Sequence, residues 1–390
     1  MRGFRRRDPR DRTRIGDIPP EQAQDGHDAP DPQVSGSPDR RGRQPLLGRT
    51  LSLLLLLVVV VGLVAQFVTL PFVILRPGPA VDVIGKPEQG APVVTVEGAR
   101  TYPTSGALYF TTVAQYGGPD RRPSAWDVLG ATIDPRSEIR REEEVFPPQV
   151  TQQQVKEQNS AAMTHSQEGA VAVALRELGR PVTEAAVVAE VIPDGPAQGV
   201  LQKDDVITAV GSTKITRAPQ LTDEIQKATG AVTLTLTRGG ASMSKTITPV
   251  EQQGRRLVGV LVQPTFSFGV DVTIHAGDVG GPSAGMMFAL GVYDTLTPGA
   301  LTGGQRIAGT GTMNSTGAVG AIGGLPQKMD GAKASGATFF LAPKDNCADV
   351  PGNVPDGLTV TPVDTFEVAL HAVQEIAAGK GDALPRCPGV

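Results

Sequence analysis

The sequence lacks the residue patterns that hold a metal ion or build a fibre. It contains four histidines and two cysteines, with no Cys-x-x-Cys and no His-x-x-x-His spacing, so a zinc site is not expected. Its 47 glycines and 33 prolines show no Gly-X-Y repeat, which excludes a collagen and favours turn-rich or disordered stretches. No motif calls for a cofactor.

Most of the chain also lacks a basic excess. Residues 1–50 contain 11 arginines and 8 acidic residues, whereas the whole chain of 390 residues has a net charge of −4. The remainder is therefore acidic, and nucleic acid is not an expected partner. The arginine cluster could be read as a nucleic-acid arm, but a topology signal attracted to anionic lipid is favoured.

Residues 1–45 have hardly any apolar side chains and are rich in Pro, Asp, Gly, Gln and Arg. Such a segment cannot bury enough surface to offset the entropy of ordering. The sequence predicts a disordered cytoplasmic tail here.

Charge is absent from residues 50–75, a run of 26 that contains five consecutive leucines and four consecutive valines. About 20 apolar helical residues cross a hydrocarbon core, so we expect one transmembrane helix within residues 46–75, in contact with lipid. Arginines precede the run, which places the N-terminus in the cytoplasm and all later residues outside a cell membrane. A signal peptide cleaved near Ala65 is the alternative, but its charged region would be unusually long.

The two cysteines, Cys347 and Cys387, lie on the predicted outer side. An oxidising compartment allows them to pair, and this disulfide would tie the C-terminal tail to the last domain.

Residues 77–184 do not suggest a domain of their own. Strands are expected at residues 92–96 and 107–113 and a helix at 150–178, while the charged run at 140–144 reads as a solvated helix face. We interpret this segment as the first part of a fold that continues later in the chain. It would be interrupted by the domain that follows.

Residues 185–250 alternate short strands and turns with one helix at 218–228. Their order resembles a PDZ domain, with Asp204-Asp205 standing where that family usually has Gly-Asp. The resemblance implies binding of extended peptides or peptide C-termini at a sheet edge. A spacer that binds nothing is the alternative.

Two motifs in residues 255–345 carry chemistry. GGPSAG at residues 280–285 leads into an apolar helical run, so Ser283 would sit where free N–H groups and a helix dipole can stabilise an oxyanion, although a serine there can also be a simple helix cap. VGAIGGLPQK at residues 319–328 puts Lys328 in the first turn of a helix. The dipole and burial would lower its pKa, as a lysine base requires.

Together these motifs resemble the proteolytic domain of Lon-type peptidases, supported by AGTGT at residues 308–312 and GATFFLAP at 336–343. The resemblance implies Ser283 as nucleophile, Lys328 as general base, Thr310 orienting the lysine, and an oxyanion hole that includes Gly281. The order of the segments resembles that of PDZ-containing, membrane-anchored, Lon-like peptidases of bacteria, and the family implies a possible homo-oligomer, a hexamer.

The sequence therefore predicts an α+β protein with five parts: a tail (1–45), a transmembrane helix (46–75), a first peptidase segment (77–184), a PDZ domain (185–250) and a Lon-like domain (255–386). Because no P-loop motif occurs, we expect an ATP-independent serine endopeptidase acting on unfolded or membrane-associated polypeptides.

Three alternative functions agree less well with the sequence. A Ser-His-Asp site using His275 and Asp278 lacks a Gly-x-Ser-x-Gly elbow. A signal-peptidase-like enzyme would need its serine close to the membrane helix. A non-catalytic PDZ scaffold would have no use for both Ser283 and Lys328.

Overall fold

The computed structural model describes residues 46–85, 92–277 and 279–389. The predicted tail over residues 1–45 and the residue Asp278 lie outside this range. The chain divides at Val58, and the features below belong to the unit Val59–Val390 except where the first helix is named.

The helices of the described part are, in chain order, α1 (Leu46–Ala65), α2 (Ala125–Ile133), α3 (Glu142–Val145), α4 (Gln152–Glu177), α5 (Ala218–Lys227), α6 (Gly285–Leu296), α7 (Leu325–Ala334) and α8 (Phe366–Ala377), with 3-10 turns at Lys344–Asp349 and Gly381–Ala383. In the ranges described, no helix has both the length and the apolar character needed to cross a bilayer. The first strand begins at Phe72, so residues 46–75 do not form one continuous helix.

The strands are β1 (Phe72–Asp82), β2 (Val94–Glu97), β3 (Ala107–Tyr116), β4 (Glu138–Arg141), β5 (Val182–Val191), β6 (Val206–Val210), β7 (Thr213–Lys214), β8 (Val232–Arg238), β9 (Ala241–Ile247), β10 (Val250–Gln252), β11 (Arg255–Leu257), β12 (Val260–Phe268), β13 (Asp271–Ile274), β14 (Arg306–Gly309), β15 (Thr312–Met313), β16 (Val319–Gly320), β17 (Phe339–Pro343) and β18 (Thr359–Val363). The charged run at 140–144 is divided between β4 and α3, so the predicted single helix face is wrong. Residues Glu138–Arg141 are extended because they pair with β1, which makes β4 the edge strand of the sheet.

A six-stranded sheet in the order β18-β17-β14-β3-β1-β4 organises the part of the chain that carries Ser283 and Lys328. Strands β3, β14, β17 and β18 run parallel, whereas β1 is antiparallel to β3 and β4. The sheet joins strands from before residue 184 to strands after residue 300. Strands β5, β6, β8, β9 and β12, which lie between them in the chain, form a second sheet, so this second sheet is an insertion in the chain path of the first.

Side chains alternate between the two faces of the six-stranded sheet, as the pleat requires. Leu108 and Phe110 pack with α4, α6 and α8 on one face, and the rings of Phe110 and Phe288 meet edge to face at 5.2 Å. Ala107 and Tyr109 pack with α7 on the other face. Helices α6 and α7 therefore lie on opposite faces.

The inserted sheet has the order β12-β5-β6-β8-β9 and packs against α5. It extends beyond the predicted 185–250 boundaries, because β12 pairs with the whole of β5. This strand serves two cores: Val260 and Val262 pack on the inserted domain, while Phe268 packs against the core of the six-stranded sheet.

Asp204 and Asp205 of the inserted domain have different structural roles. The buried Asp205 receives two hydrogen bonds of 2.7 Å from Arg238, one to each carboxylate oxygen. The preceding Asp204 has a φ of 70°, in the left-handed region that favours glycine. Glycine would therefore suit this turn, which agrees with the Gly-Asp pair usual in the resembled family but does not explain the aspartate found here.

At the C-terminus, Cys347 and Cys387 are joined by a disulfide with their Cα atoms 5.2 Å apart. Cys387 is buried against the β17 side of the core. The bridge ties the C-terminal tail to the 3-10 turn that follows β17.

A chain truncated to residues 250–390 should not fold cooperatively, because it lacks β1, β3 and α4. Thermal unfolding followed by circular dichroism should show no sharp transition, whereas a chain that begins at Phe72 should show one. A cooperative transition in the short chain would contradict the shared sheet.

Candidate active site

Ser283 lies in the turn that leads into α6. The helix cap is Ala284, which makes no side-chain capping bond, so Ser283 is not the helix cap. Gly281, two residues earlier, has a φ of 86°, a left-handed conformation that lets the chain turn sharply here.

Lys328 lies in the first turn of α7, after Gly324 at the cap and Pro326 at the second helical position. Its side chain points into the protein, and the residue is only 3% exposed. Although α6 and α7 lie on opposite faces of the sheet, Lys328 Nζ is 2.9 Å from Ser283 Oγ. The two predicted residues therefore meet at the ends of parallel strands, where α/β sheets commonly bind ligands.

Three oxygens surround the lysine nitrogen. Besides Ser283 Oγ, they are the carbonyl of Thr111 at 3.1 Å and the hydroxyl of Thr310 at 3.0 Å. The Thr310 hydroxyl donates its own proton to the carbonyl of Ser283 at 3.0 Å. It must therefore accept from Lys328, as the Thr111 carbonyl must.

A neutral lysine amine has two N–H groups and one lone pair, and the three surrounding oxygens can satisfy all three. Its two N–H groups are directed to Thr111 and Thr310, and its lone pair is then available to the hydroxyl proton of Ser283. An amine that accepts a proton from a neighbouring hydroxyl is a general base placed to activate that nucleophile.

Burial lowers the pKa of Lys328 from its ordinary value of 10.5 to about 8. The cause is desolvation, which disfavours the charged ammonium. At pH 7 roughly a tenth of the molecules would then carry the neutral amine, and a pKa close to the working pH suits a general base.

Thr310 is fully buried and directly follows β14. Its backbone N–H donates to the Leu341 carbonyl on the neighbouring strand β17 at 3.1 Å. The sheet therefore fixes the threonine that contacts both members of the pair.

Helix α4 braces the serine turn from the other side. The buried Ser166 donates a 2.7 Å hydrogen bond to the Pro282 carbonyl. A side chain at Gly285 would come within 2.3 Å of the Ser166 hydroxyl, so glycine is required for this close approach. Sequence reasoning did not identify Ser166 or Thr111, because nothing local marks a serine within a helix or a strand carbonyl as functional.

The expected oxyanion role of Gly281 gains no support from the hydrogen bonds in the serine turn. Its N–H donates to the Asn159 carbonyl on α4 at 3.0 Å, so this donor is already used. The N–H of Ser283, by contrast, bonds to no residue that the structure describes.

The alternative histidine site gains no support. His275 is exposed on the surface, with its backbone N–H bonded to the Val93 carbonyl. Asp278 lies outside the described residues. The partner of Ser283 in the structure is a lysine.

Residues 256–375 match the family model of the Lon protease (S16) C-terminal proteolytic domain. Lon protease 1 of Bacillus subtilis is 35% identical over 120 residues, which are 29% of this chain and 15% of that protein. The Lon protease of Clostridium beijerinckii is 38% identical over 123 residues, covering 30% and 14%. The Lon protease homolog of Candida albicans, described as mitochondrial, is 37% identical over 108 residues, covering 27% and 10%.

The chain thus spans at most 15% of the length of these relatives. The match supports a Lon-type serine peptidase domain. Among solved structures, the PDZ domain of the SdrC-like protein from Listeria monocytogenes is similar, with 22% identity, a TM-score of 0.19, and coverage of 20% of this chain and 85% of that one.

Activity should rise with pH through a midpoint near 8, because only the neutral Lys328 amine accepts a proton. Below the midpoint, kcat/KM should fall about tenfold for each pH unit. Lys333 on the same helix, which is half-buried and donates to the Gly357 carbonyl, provides the matched control, since Lys333→Gln should leave the profile unchanged. A midpoint near 6.5, typical of histidine, would contradict the assignment.

Thr310→Val should keep the shape of the side chain while removing the hydroxyl that contacts Lys328. The hydroxyl accepts from Lys328 and donates to the Ser283 carbonyl, and losing both bonds should lower kcat by about 10- to 100-fold. Thr208→Val is the matched control, because it removes a 3.2 Å hydroxyl bond to the Thr235 carbonyl in the inserted domain. Equal kcat values for the two variants would show that Thr310 has no special role.

Proposed function

We propose that this chain is a serine endopeptidase with Ser283 as nucleophile and neutral Lys328 as general base. The observation that carries the proposal is the 2.9 Å separation of Ser283 Oγ from a buried lysine nitrogen. The match of the surrounding residues to a Lon proteolytic domain supports the same chemistry.

In the proposed reaction, Ser283 Oγ attacks the carbonyl carbon of a peptide bond while its proton passes to Lys328 Nζ. The resulting ammonium donates that proton to the leaving amine, and the acyl group stays on Ser283 as an ester. A water molecule deprotonated by the same amine then hydrolyses the ester. The free N–H of Ser283 and the N-terminal end of α6 would stabilise the oxyanion.

The proposed substrates are unfolded or extended polypeptides, cleaved without ATP. The 390 residues contain no Gly-x-x-x-x-Gly-Lys-Ser/Thr motif, so nothing in them would couple nucleotide hydrolysis to unfolding. The six-subunit assembly implied by the family resemblance stays a prediction.

The inserted domain would select substrates. A cavity of about 940 Å³ lies beside α5 and β12, with apolar side chains that include Leu221, Ile225 and Val260. Strand β12 lies at the edge of its sheet, so an extended peptide could add to it. The exposed Arg255 also lines the cavity and could attract a terminal carboxylate.

We also propose that residues 46–75 hold the chain at a membrane, with the catalytic domain outside the cytoplasm. Support comes from the exposed leucine and valine side chains of α1, because an apolar surface of this extent is unfavourable in water. The chemistry of the catalytic site does not depend on this part of the proposal.

The test is incubation of the full chain in detergent micelles with casein and no nucleotide. The parent protein should cleave casein, and Ser283→Ala should reduce the rate by at least about 10³-fold. Ser244→Ala, an exposed serine in β9, should cleave at the parent rate.

Cleavage that survives in Ser283→Ala would overturn the nucleophile. If the parent protein itself cleaves nothing, the result would favour a non-catalytic scaffold that binds peptides through the inserted domain.

A further inference from the structure

Helix α2 presents an apolar face to solvent. Trp126, Leu129 and Ile133 are 47%, 49% and 76% exposed. Their spacing of three and then four residues puts them on one side of the helix. We refer to these three side chains as the apolar face.

The apolar face belongs to a well-fixed helix. Ser124 caps the first turn and shares a capping box with Asp127, and Ala131 is buried on the opposite side. The preceding segment is also tied down, because Leu70 N–H donates to the Pro123 carbonyl and Ala125 N–H donates to the Val68 carbonyl. The apolar face is therefore exposed on a fully formed helix and not on a frayed one.

The apolar face adjoins the C-terminal end of α1. The indole Nε1 of Trp126 donates to the Gly62 carbonyl at 2.8 Å. Phe67 and Val68, in the connection that follows α1, are also exposed, as are Leu63 and Val64 in its last turn. Exposed apolar side chains in the last turn of α1 and in the connection after it thus lie next to the Trp126 end of the apolar face.

We propose that the apolar face of α2 docks on the surface of a lipid bilayer, at the boundary between headgroups and acyl chains. This inference rests on the membrane attachment proposed above and adds a second contact to it. Lipid is favoured as the occupant because α1 exposes leucine and valine on all sides. A protein groove would cover one side only, whereas lipid covers this helix and the adjoining face together.

The kinds of residue at this site agree with an interfacial position. Tryptophan and tyrosine are enriched where membranes meet water. Trp126, at one end of the apolar face, is a residue of this kind. Shallow insertion of one amphipathic helix face is the usual mode of binding in the interface plane.

Docking would fix the catalytic domain against the bilayer. Strand β1 begins at Phe72, directly after the segment that contacts α2, and it packs against α7, which carries Lys328. The peptidase site would then be held at a set height above the membrane, suited to substrates that emerge from it.

The chain contains a single tryptophan, so native fluorescence reports on Trp126 alone. The full chain is reconstituted in vesicles of phosphatidylcholine and phosphatidylglycerol, with or without bromine on the upper part of the acyl chains. Flotation of the vesicles measures attachment separately. We expect the protein to float, its emission to shift to the blue, brominated lipid to quench it, and quenching by acrylamide to fall several-fold relative to detergent solution.

A double variant of the apolar face and a control variant elsewhere test whether the apolar side chains cause the shielding of Trp126. Leu129→Gln with Ile133→Gln should restore acrylamide quenching and reduce bromine quenching, while flotation and casein cleavage persist. Val368→Gln, at an exposed valine on α8, should change none of these signals.

Three results would overturn the proposal in distinguishable ways. A chain that floats while Trp126 remains open to acrylamide and unaffected by bromine is attached but not docked. A chain that does not float has neither contact. If Trp126 is instead shielded in vesicle-free protein of doubled mass, the apolar face joins two copies of this chain and lipid docking is wrong.

Discussion

Burial destabilises the ammonium form of Lys328 relative to the neutral amine by about 3 kcal/mol compared with water. The rest of the proposed catalytic arrangement depends on this desolvation. A solvated lysine would be charged at neutral pH and could not take a proton from Ser283. The Thr111 carbonyl and the Thr310 hydroxyl satisfy the N–H groups of the neutral amine, so burial leaves no unpaired donor. Desolvation and complete hydrogen bonding together would leave the lone pair of the neutral amine facing Ser283, as the proposed general base requires.

The position of that nucleophile depends on residues far away in the sequence. Helix α4, which precedes the inserted domain, supplies Ser166 to the Pro282 carbonyl and the Asn159 carbonyl to Gly281 N–H. The same helix ends near β5, where Arg176 pairs with the buried Glu184 of the inserted sheet at 2.7 Å. Glu184 also accepts from the N–H of Ala218 at the start of α5, at 3.2 Å. One rigid helix thus connects the serine turn to the inserted domain.

Local patterns predicted the parts of the site that depend on local geometry. Gly281, Pro282 and Ser283 before an apolar run, and Pro326 two residues before Lys328, were sufficient to propose the pair that the structure brings together. The bond from Gly281 to Asn159 was not predictable, because it joins residues more than 100 positions apart and carries no motif. The extension of the inserted sheet to β12 was missed for a related reason, since its alternating side chains serve two cores and mark neither boundary.

The central claim is that burial lowers the pKa of Lys328 to about 8, so that part of the population carries a neutral amine near physiological pH, and this pKa can be measured directly. Lysine side chains labelled with ¹⁵N can be titrated by NMR in the full chain, with Lys328→Met used to assign the resonance. A titration midpoint near 8 would agree with the account. A midpoint near 10.5, the value of a solvated lysine, would contradict it, because the amine beside Ser283 would then be charged and unable to act as the base.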